Sequence, residues 1–299
     1  QGQGETQTAR QTQVASDAHI HADAIESGNG GKVIVWADDY TLFQGEATAR
    51  GGSVSGDGGF IEVSGKETLN FDGWIDASAA NGNAGSVLFD PTNITIQSGG
   101  ASLLPVNPYT FTTDPGQSVT FDPSAITNIS GAGTEVRLQA NQDIFINSDI
   151  ISNNPGGDGG NLIFQAGQSI FINANISTDN GNLSLTANDP LADFTDRGSG
   201  VAVLAMDFAA ALPLLTLDAG LTGNIEISMG GGNGNGTSGD IFLDNLTAEH
   251  IILRYKGTTV GGDILQNAGG TITALSVFID HEFNTNGSVG TLSSPLNMV

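Results

Sequence analysis

The sequence predicts an all-β protein: a right-handed parallel β-helix with about 26 residues per coil and three parallel sheets. Two observations support this prediction. Similar blocks recur along the chain at a nearly constant offset, and each repeat contains three short runs in which apolar and polar residues alternate. Glycine, asparagine and aspartate separate these runs, as is typical of turns between short strands.

The repeat is clearest in three pairs of segments. GGKVIVWA at residues 30–37 aligns with GGFIEVSG at 58–65, and EVRLQA at 135–140 aligns with NLIFQA at 161–166. DIFIN at 143–147 aligns with SIFIN at 169–173. One coil of three strands cannot bury its own apolar side chains, whereas stacked coils bury them and pair each strand with the coils above and below.

Residues at equal positions of successive coils are expected to stack in columns. The first two runs of each coil supply the predicted core stack: Val33, Phe43, Ile61, Phe71, Val87, Ile96, Val136, Ile146, Leu162 and Ile172. A polar residue follows the second run of each coil: Gln44, Asp72, Gln97, Asn147 and Asn173. These side chains would form a polar ladder along the axis, as stacked Asn and Gln do. Because a solvent-facing residue would be polar as well, alternation alone leaves both interpretations open.

The repeat divides the chain into four regions. Residues 1–29 are a polar stretch with a partial coil, and residues 30–187 are regular coils interrupted at 98–133 by a proline-containing loop excursion. Residues 188–222 form a second, irregular excursion, whose apolar segment 201–217 fits either a short flanking helix or two further strands. Residues 223–299 are predicted to be less regular coils.

Composition excludes several classes of partner. The 299 residues carry eight Lys and Arg against 32 Asp and Glu, a formal net charge of −24. Such a chain has no basic stripe for nucleic acid, and an anionic membrane surface would repel it. The longest apolar run is interrupted by Asp207 and Pro213, so no membrane insertion is expected. The chain has no cysteine, but a solenoid with a continuous core needs no disulfides, so export is compatible with this composition.

Catalysis is the first chemical alternative. Asp38 and Asp39 are adjacent, and Asp57 and Asp72 lie nearby in the coil alignment. A polysaccharide hydrolase or lyase needs carboxylates that converge from neighbouring coils. The next coil places Lys66 and Glu67 under Asp38 and Asp39, so the acidic pair does not repeat. A salt-bridged or solvated turn explains it better, and no catalytic residue is predicted.

Metal binding is the second alternative. His19 and His21 flank Ile20, so both face outward at strand spacing, but no third ligand is evident and surface histidines are the favoured interpretation. The Gly-rich turns around Asp57 and Asp158 are compatible with weak surface calcium, although they lack the tandem register of a calcium β-roll. No cofactor and no specific metal site are predicted.

Four motifs occur in order: GGKVIVWAD at 30–38, ARGG at 49–52, GFIEVSGK at 59–66 and DPTNITI at 90–96. Over residues 8–180 the chain resembles the filamentous-haemagglutinin-like exoproteins of two-partner secretion, in their cyanobacterial form. The resemblance implies a secreted or cell-surface β-helix of a Gram-negative bacterium, exported through an outer-membrane pore partner, with no catalytic residues. The Asn-Pro-Asn-Gly-type motif of that family's secretion domain does not occur in this sequence.

We therefore expect an extracellular structural or adhesive solenoid, a segment of a surface or matrix fibre that continues or self-associates head to tail. The alternative is a carbohydrate-binding or carbohydrate-cleaving β-helix, with surface glycans as partners. That alternative predicts a row of aromatic and acidic residues on one sheet. The outward positions of the first run show no such row and favour the structural role: Ile34, Glu62, Leu88, Arg137 and Ile163.

Overall fold

The structure, a computed structural model, describes residues 8–65, 68–99, 119–192, 197–207, 213–232, 236–257, 262–281, 287–290 and 295–299. Within these residues the chain winds through three faces, and strands at equal positions of successive coils pair in parallel. This arrangement is a parallel β-helix, as the repeat predicts.

The first face is one sheet of nine strands: β3 (Lys32–Ala37), β6 (Phe60–Gly65), β9 (Ser86–Phe89), β12 (Glu135–Ala140), β15 (Leu162–Ala166), β18 (Leu183–Ala187), β21 (Asn224–Met229), β24 (His250–Tyr255) and β27 (Ser276–His281).

The second face consists of two sheets. The shorter sheet contains β1 (Gln11–Val14), β4 (Tyr40–Phe43) and β7 (Thr68–Phe71). The longer sheet contains β10 (Ile94–Ile96), β11 (Val119–Phe121), β13 (Ile144–Ile146), β16 (Ile170–Ile172), β19 (Gly200–Met206), β22 (Gly236–Leu243) and β25 (Ile264–Gln266).

The third face is also divided. One sheet contains β2 (His19–His21), β5 (Glu46–Thr48) and β8 (Trp74–Asp76). The other contains β14 (Ile150–Ile151), β17 (Ile176–Ser177), β20 (Thr216–Asp218), β23 (Asn245–Thr247) and β26 (Ile272–Thr273). The helix α1 (Pro123–Ser130) lies between the two sheets, in contact with β8 and β14.

The core is a continuous apolar column inside the three faces. Alternate residues of each strand point inward and stack on their equivalents in the next coil, as Val136 does on Leu162 and Ile144 on Ile170. The predicted core stack is buried throughout, none of its members being more than 6% exposed: Val33, Phe43, Ile61, Phe71, Val87, Ile96, Val136, Ile146, Leu162 and Ile172.

Close stacking also depends on glycine at the corner before the first face. A Cβ atom on Gly59 would collide with the carbonyl oxygen of Gly31, and one on Gly85 would collide with the carbonyl oxygen of Gly59. The two-glycine motif of the repeat is therefore a packing requirement, because the backbones of successive coils approach each other at this corner.

The excursion at 98–133 differs from the predicted loop. Its described part contains the strand β11 and the helix α1, and β11 pairs with β10 on the side that faces β7. The chain thus returns and places β11 between β7 and β10, two strands that precede it in the sequence. Phe121 of β11 then packs against Phe89 and Phe71, with ring centroids 5.1 and 6.2 Å apart. The insertion fills the aromatic part of the core, which alternation along the chain could not predict.

Helix α1 replaces a strand of the third face at this level. Asp122 caps its N-terminus by accepting a hydrogen bond from the Ser124 backbone N–H at 3.0 Å, and Pro123 occupies the first turn. Ile126 and Ile129, at neighbouring positions on one side of the helix, form its buried side. The helix therefore continues the core while it interrupts the third sheet.

The second excursion continues the coils. In residues 188–222, β19 and β20 take their places in the second and third faces, so the apolar segment supplies two strands. In residues 223–299, Asn224, His250 and Ser276 occupy equal positions in three successive coils of the first face. On the second face Ile241 pairs with Ile264, only 23 residues further on. The expectation of less regular coils in this region stays a prediction, because several of its segments lie outside the described residues.

The N-terminal region contains a partial coil. β1 pairs with β4, from Gln11 opposite Tyr40 to Val14 opposite Phe43, and β2 pairs with β5. Residues 11–13, within the predicted polar stretch, are therefore strand residues.

Inward and outward positions should respond differently to the same substitution. Ile146→Asp places a carboxylate at a fully buried position and removes burial worth about 1.5–3 kcal/mol, with several kcal/mol more for the unpaired charge. Ile163→Asp, at a half-buried outward position of β15, should cost much less. Urea unfolding of both variants tests this order, and an equal or reversed order would contradict the assignment of faces.

Candidate functional site

Only one link of the predicted polar ladder is a hydrogen bond between side chains in the described residues. Asn173 Nδ2 donates to Asn147 Oδ1 at 2.9 Å. Within the part of the chain that the structure describes, Gln44, Asp72 and Gln97 form no side-chain hydrogen bond with one another. The backbone N–H groups of these residues instead continue the strand pairing one residue past the strand end. Gln44 N–H donates to the Val14 carbonyl, and Asp72 N–H donates to the Phe43 carbonyl.

A different set of polar columns joins the coils at their corners. In these columns an Asp, Asn or Ser side-chain oxygen of one coil accepts a hydrogen bond from the backbone N–H at the equivalent position of the next coil. Asp143 Oδ1 accepts from Ser169 N at 2.8 Å, and Asn175 Oδ1 accepts from Thr216 N at 2.9 Å. In each case the oxygen belongs to the earlier coil and the N–H to the later one.

The columns occur at all three corners. Before the first face they join Asn29 to Asp57, Asp57 to Asn83, Asn161 to Asn182 and Asn182 to Asn224. Before the second face they join Asn93 to Asp143, Asp143 to Ser169, Asp240 to Asp263 and Asp263 to Ser288. Before the third face they join Asp149 to Asn175, Asn175 to Thr216 and Asn245 to Thr271.

These corner columns are the polar feature that sequence reasoning missed. The signal was present, since Asn or Asp precedes most strands, but turn composition explains the same residues. Short polar side chains can accept from a backbone N–H that the turn leaves without a strand partner. Each such bond is worth about 1 kcal/mol, so a column contributes both stability and register.

Two arginines add ion-pair columns across three coils each. On the third face Arg50 lies between Asp23, at 2.9 Å, and Asp76, at 3.9 Å. On the first face Arg254 lies between Glu226, at 2.7 Å, and Asp280, at 3.2 Å. Although partial burial acts to raise it, the hydrogen bonds from Arg50 keep the pKa of Asp23 below its ordinary value. Exposed pairs of this kind add little stability, but they favour the correct register.

The outer surface of the third face carries a histidine cluster. His19 and His21 point outward from β2, with Ile20 between them packed against the core. The parallel register sets Glu46 of β5 opposite His19 and Thr48 opposite His21. The sequence alone shows no third potential ligand beside the two histidines, and the structure places the Glu46 carboxylate there from the next coil.

The distances within this cluster are short. Glu46 Oε2 lies 3.0 Å from His19 Nδ1, and Glu46 Oε1 lies 3.9 Å from His21 Nδ1. One ligand atom from each of the three side chains lies within 4.8 Å of the others. Among the residues that the structure describes, this is the one such group of three His, Asp or Glu residues. The turns at Asp57 and Asp158, where the sequence is compatible with weak calcium, do not belong to a group of this kind.

The acidic residues considered for catalysis do not converge. Asp38 and Asp39 lie between β3 and β4, Asp57 lies between β5 and β6, and Asp72 follows β7, so they occupy three different corners. Asp39 pairs with Arg10 at 2.6 Å, and Asp38 accepts a hydrogen bond from Thr8. Asp57 belongs to a corner column. Lys66 and Glu67, predicted to lie under Asp38 and Asp39, are outside the described residues.

Two other carboxyl groups lie close together on the first face. Glu62, an outward residue of β6, is 4% exposed, and Leu88 opposite it is 8% exposed, so this part of the outward row is covered. Burial, and secondarily the charge of Glu62, raises the pKa of Asp90 to about 6. A carboxyl group with this pKa can exchange a proton near neutral pH, but the outward row around it presents no groove of converging acids.

The outer surface of the second face carries an aromatic pair. Phe145 and Phe171 lie opposite each other in β13 and β16 and stack with their ring centroids 5.1 Å apart. Outward aromatic residues therefore occur on this face and, as Trp74, on the third. Within the described residues no helix is long and apolar enough to span a membrane.

Comparison of the chain with models of known protein families finds no match, and comparison with curated protein sequences finds none either.

The raised pKa of Asp90 predicts a pH-dependent stability. Because the pKa of Asp90 rises from 3.8 to about 6 on folding, the folded protein binds this proton more tightly than the unfolded chain does. Protonation of Asp90 therefore stabilises the fold, a contribution that is fully present below pH 3.8 and is lost as the pH rises through about 6. Asp90→Asn should therefore raise the free energy of unfolding at pH 7 by about 1–3 kcal/mol, and by less at pH 4.

Urea unfolding of the wild type and the variant at pH 4, 5, 6 and 7 measures this difference. Asp158→Asn, which removes one carboxylate at an exposed turn, is the matched control for the loss of a negative charge. A constant difference between Asp90→Asn and wild type at all four values would contradict the assignment.

Proposed function

We propose that this chain is a segment of an extracellular structural or adhesive β-solenoid, part of a cell-surface or matrix fibre, without catalytic activity. The proposal rests mainly on one observation. The nine strands of the first face pair in parallel from β3 to β27, and one apolar core follows them through the described residues. A protein with this construction is a rod whose coils contact only their neighbours, which suits a spacer or fibre.

The surface charge is a second observation that supports a role outside the cytoplasm. A net charge of −24 keeps a long object soluble. Among the acidic residues, Asp57, Asp143 and Asp149 belong to columns at three different corners. The four motifs at residues 30–96 add the likeness to filamentous-haemagglutinin-like exoproteins of cyanobacteria. On that basis we propose secretion through an outer-membrane pore partner of a Gram-negative cell.

The ends of the stack support a proposal of head-to-tail association. Within the described residues, no strand pairs with the outer edges of β3 and β27. Phe278 of β27 is 56% exposed, and Leu275 before it is 80% exposed. An exposed edge strand with apolar side chains is a template for pairing with another chain or with a further coil. An interface of this head-to-tail kind does not close and can extend into a filament.

The alternative of carbohydrate binding is favoured by one local observation. Trp74 is 44% exposed on the third face, directly opposite Glu46 and close to Asp76 at the other end of the same strand. An exposed aromatic ring beside carboxylates is a surface on which a sugar ring can stack and form hydrogen bonds.

Assembly through the edge of β27 can be tested by sedimentation velocity and negative-stain electron microscopy over a concentration series. We expect rods that lengthen with concentration. Phe278→Lys should weaken this association, because a charged side chain on an edge strand opposes strand pairing. Leu221→Lys, which alters an 84% exposed residue at the corner before β21, two levels from β27, is the matched control and should not weaken it.

A monomer at every concentration, or equal effects of the two substitutions, would contradict assembly through this edge. The same preparations should neither bind nor break down polysaccharides. Binding that disappears in Trp74→Ala would support the carbohydrate-binding alternative instead.

A further inference from the structure

We propose that His19, His21 and Glu46 form a binding site for a divalent transition-metal ion of the zinc, nickel or copper class on the outer surface of the third face. The site joins the first two coils, because the histidines belong to β2 and the glutamate to β5. It is independent of the structural role proposed above, which needs no metal.

The geometry is close to that of a metal site. In a tetrahedral site with metal–ligand distances of about 2.0–2.1 Å, two ligand atoms lie about 3.3 Å apart. Glu46 Oε2 lies 3.0 Å from His19 Nδ1, and Glu46 Oε1 lies 3.9 Å from His21 Nδ1, so the two distances lie on either side of this value. The two imidazole rings are nearly parallel, at 12°, with centroids 5.9 Å apart. Small side-chain rotations therefore suffice to bring all three ligands onto one ion.

The ligands stand on a rigid support. Ile20 packs against the core between the histidines, and Ala47, which follows Glu46, is fully buried. The strand register holds His19 opposite Glu46 by backbone pairing. The three side chains are exposed enough to be reached, with 58%, 49% and 28% of the side-chain surface accessible for His19, His21 and Glu46. Little backbone order has to be gained when an ion binds.

The surroundings also favour a cation. Thr48 Oγ1 lies 2.7 Å from His21 Nδ1 and donates to Asp23 Oδ2 at 2.9 Å. The nearby guanidinium of Arg50 is already paired with Asp23 and Asp76. Binding an ion at Nδ1 replaces the contact between His21 and Thr48 and leaves the bond from Thr48 to Asp23 in place. The carboxylate of Asp23 therefore keeps its negative charge near the site, without a hydrogen bond to any of the three ligands.

The ligand types select the class of ion. Two imidazoles and one carboxylate suit zinc, nickel and copper, whereas calcium and magnesium prefer all-oxygen sites. Three protein ligands leave at least one coordination position open. A water molecule, or a donor from another molecule, would occupy that position.

Isothermal titration of the untagged, chelator-treated protein with Zn2+ tests the site. We expect one ion per chain. His19→Asn and His21→Asn should each weaken binding about tenfold or more, since loss of even an outer partner of a ligand costs about 10- to 100-fold in metal affinity. His250→Asn is the matched control, because His250 is similarly exposed, with 48% of its side chain accessible, and lies 3.9 Å from Glu249 but has no second histidine beside it. It should bind as the wild type does.

Equal zinc affinity in wild type, His19→Asn and His21→Asn would overturn the proposal, as would an equal loss in His250→Asn. Circular dichroism melts without metal should be unchanged by these exposed substitutions, which separates loss of the site from misfolding. A second readout uses Trp74, opposite Glu46. With Trp36 replaced by Phe, so that Trp74 is the one tryptophan left, Cu2+ should quench the fluorescence when His19 and His21 are present and not in the His19→Asn, His21→Asn double variant. Equal quenching with and without the two histidines would count against the site.

Discussion

In a parallel β-helix, every coil has to satisfy its backbone hydrogen bonds through the coils on either side, at the corners as well as along the strands. The strands do this with each other, because their N–H and C=O groups point along the axis toward the neighbouring coils. At the corners this backbone pairing is incomplete: Gly30 N donates to the Asp57 carbonyl of the next coil, but other corner N–H groups bond to side chains. In this chain, Asp, Asn and Ser side chains supply those partners: Asp143 accepts from Ser169, and Asn175 accepts from Thr216. The rest of the architecture depends on this coil-to-coil satisfaction.

The direction of these bonds has a consequence for the composition. In the corner columns the acceptor lies in the earlier coil, whereas Leu215 N donates in the opposite direction, to Asp244 of the later coil. Each bond needs an oxygen-bearing side chain in one coil and only a backbone N–H in the other. Asn and Asp satisfy both requirements, so they recur at corners, and the aspartates among them contribute to the net charge of −24. Glycine recurs for a different reason, since Gly59 and Gly85 allow the carbonyl of the previous coil to approach closely.

Much of the fold follows from sequence because its determinants are local and periodic. The regular spacing of Ile146 and Ile172, and the alternation on either side of them, fix both the register and the inward face. The position of β11 does not follow in this way. Its pairing with β10 on the side toward β7 reverses chain order, and in that place Phe121 packs against Phe71 and Phe89. Nothing in residues 119–121 alone distinguishes this insertion from a strand that follows β10.

The candidate metal site was missed for a related reason. The contact between His19 and Glu46 joins two different coils and requires the pairing of β2 with β5, in a region whose repeat is weak in sequence. The corner columns, in contrast, are visible in the sequence as Asn and Asp before the strands. Turn chemistry accounts for them equally well, because alternation and turn propensity predict the same residue types. Only the observed pairing of side-chain oxygen with the next coil's N–H separates the two interpretations.

Hydrogen exchange at single-residue resolution tests the central claim most directly. If the corner side chains complete the coil-to-coil hydrogen bonding, the amides of Ser169, Asn175 and Asn182 should be protected about as well as strand amides such as that of Ile170, because all of them open only when the stack opens. Exchange of these three corner amides at the rate of an exposed turn amide such as that of Asn81, while the strands stay protected, would contradict the claim.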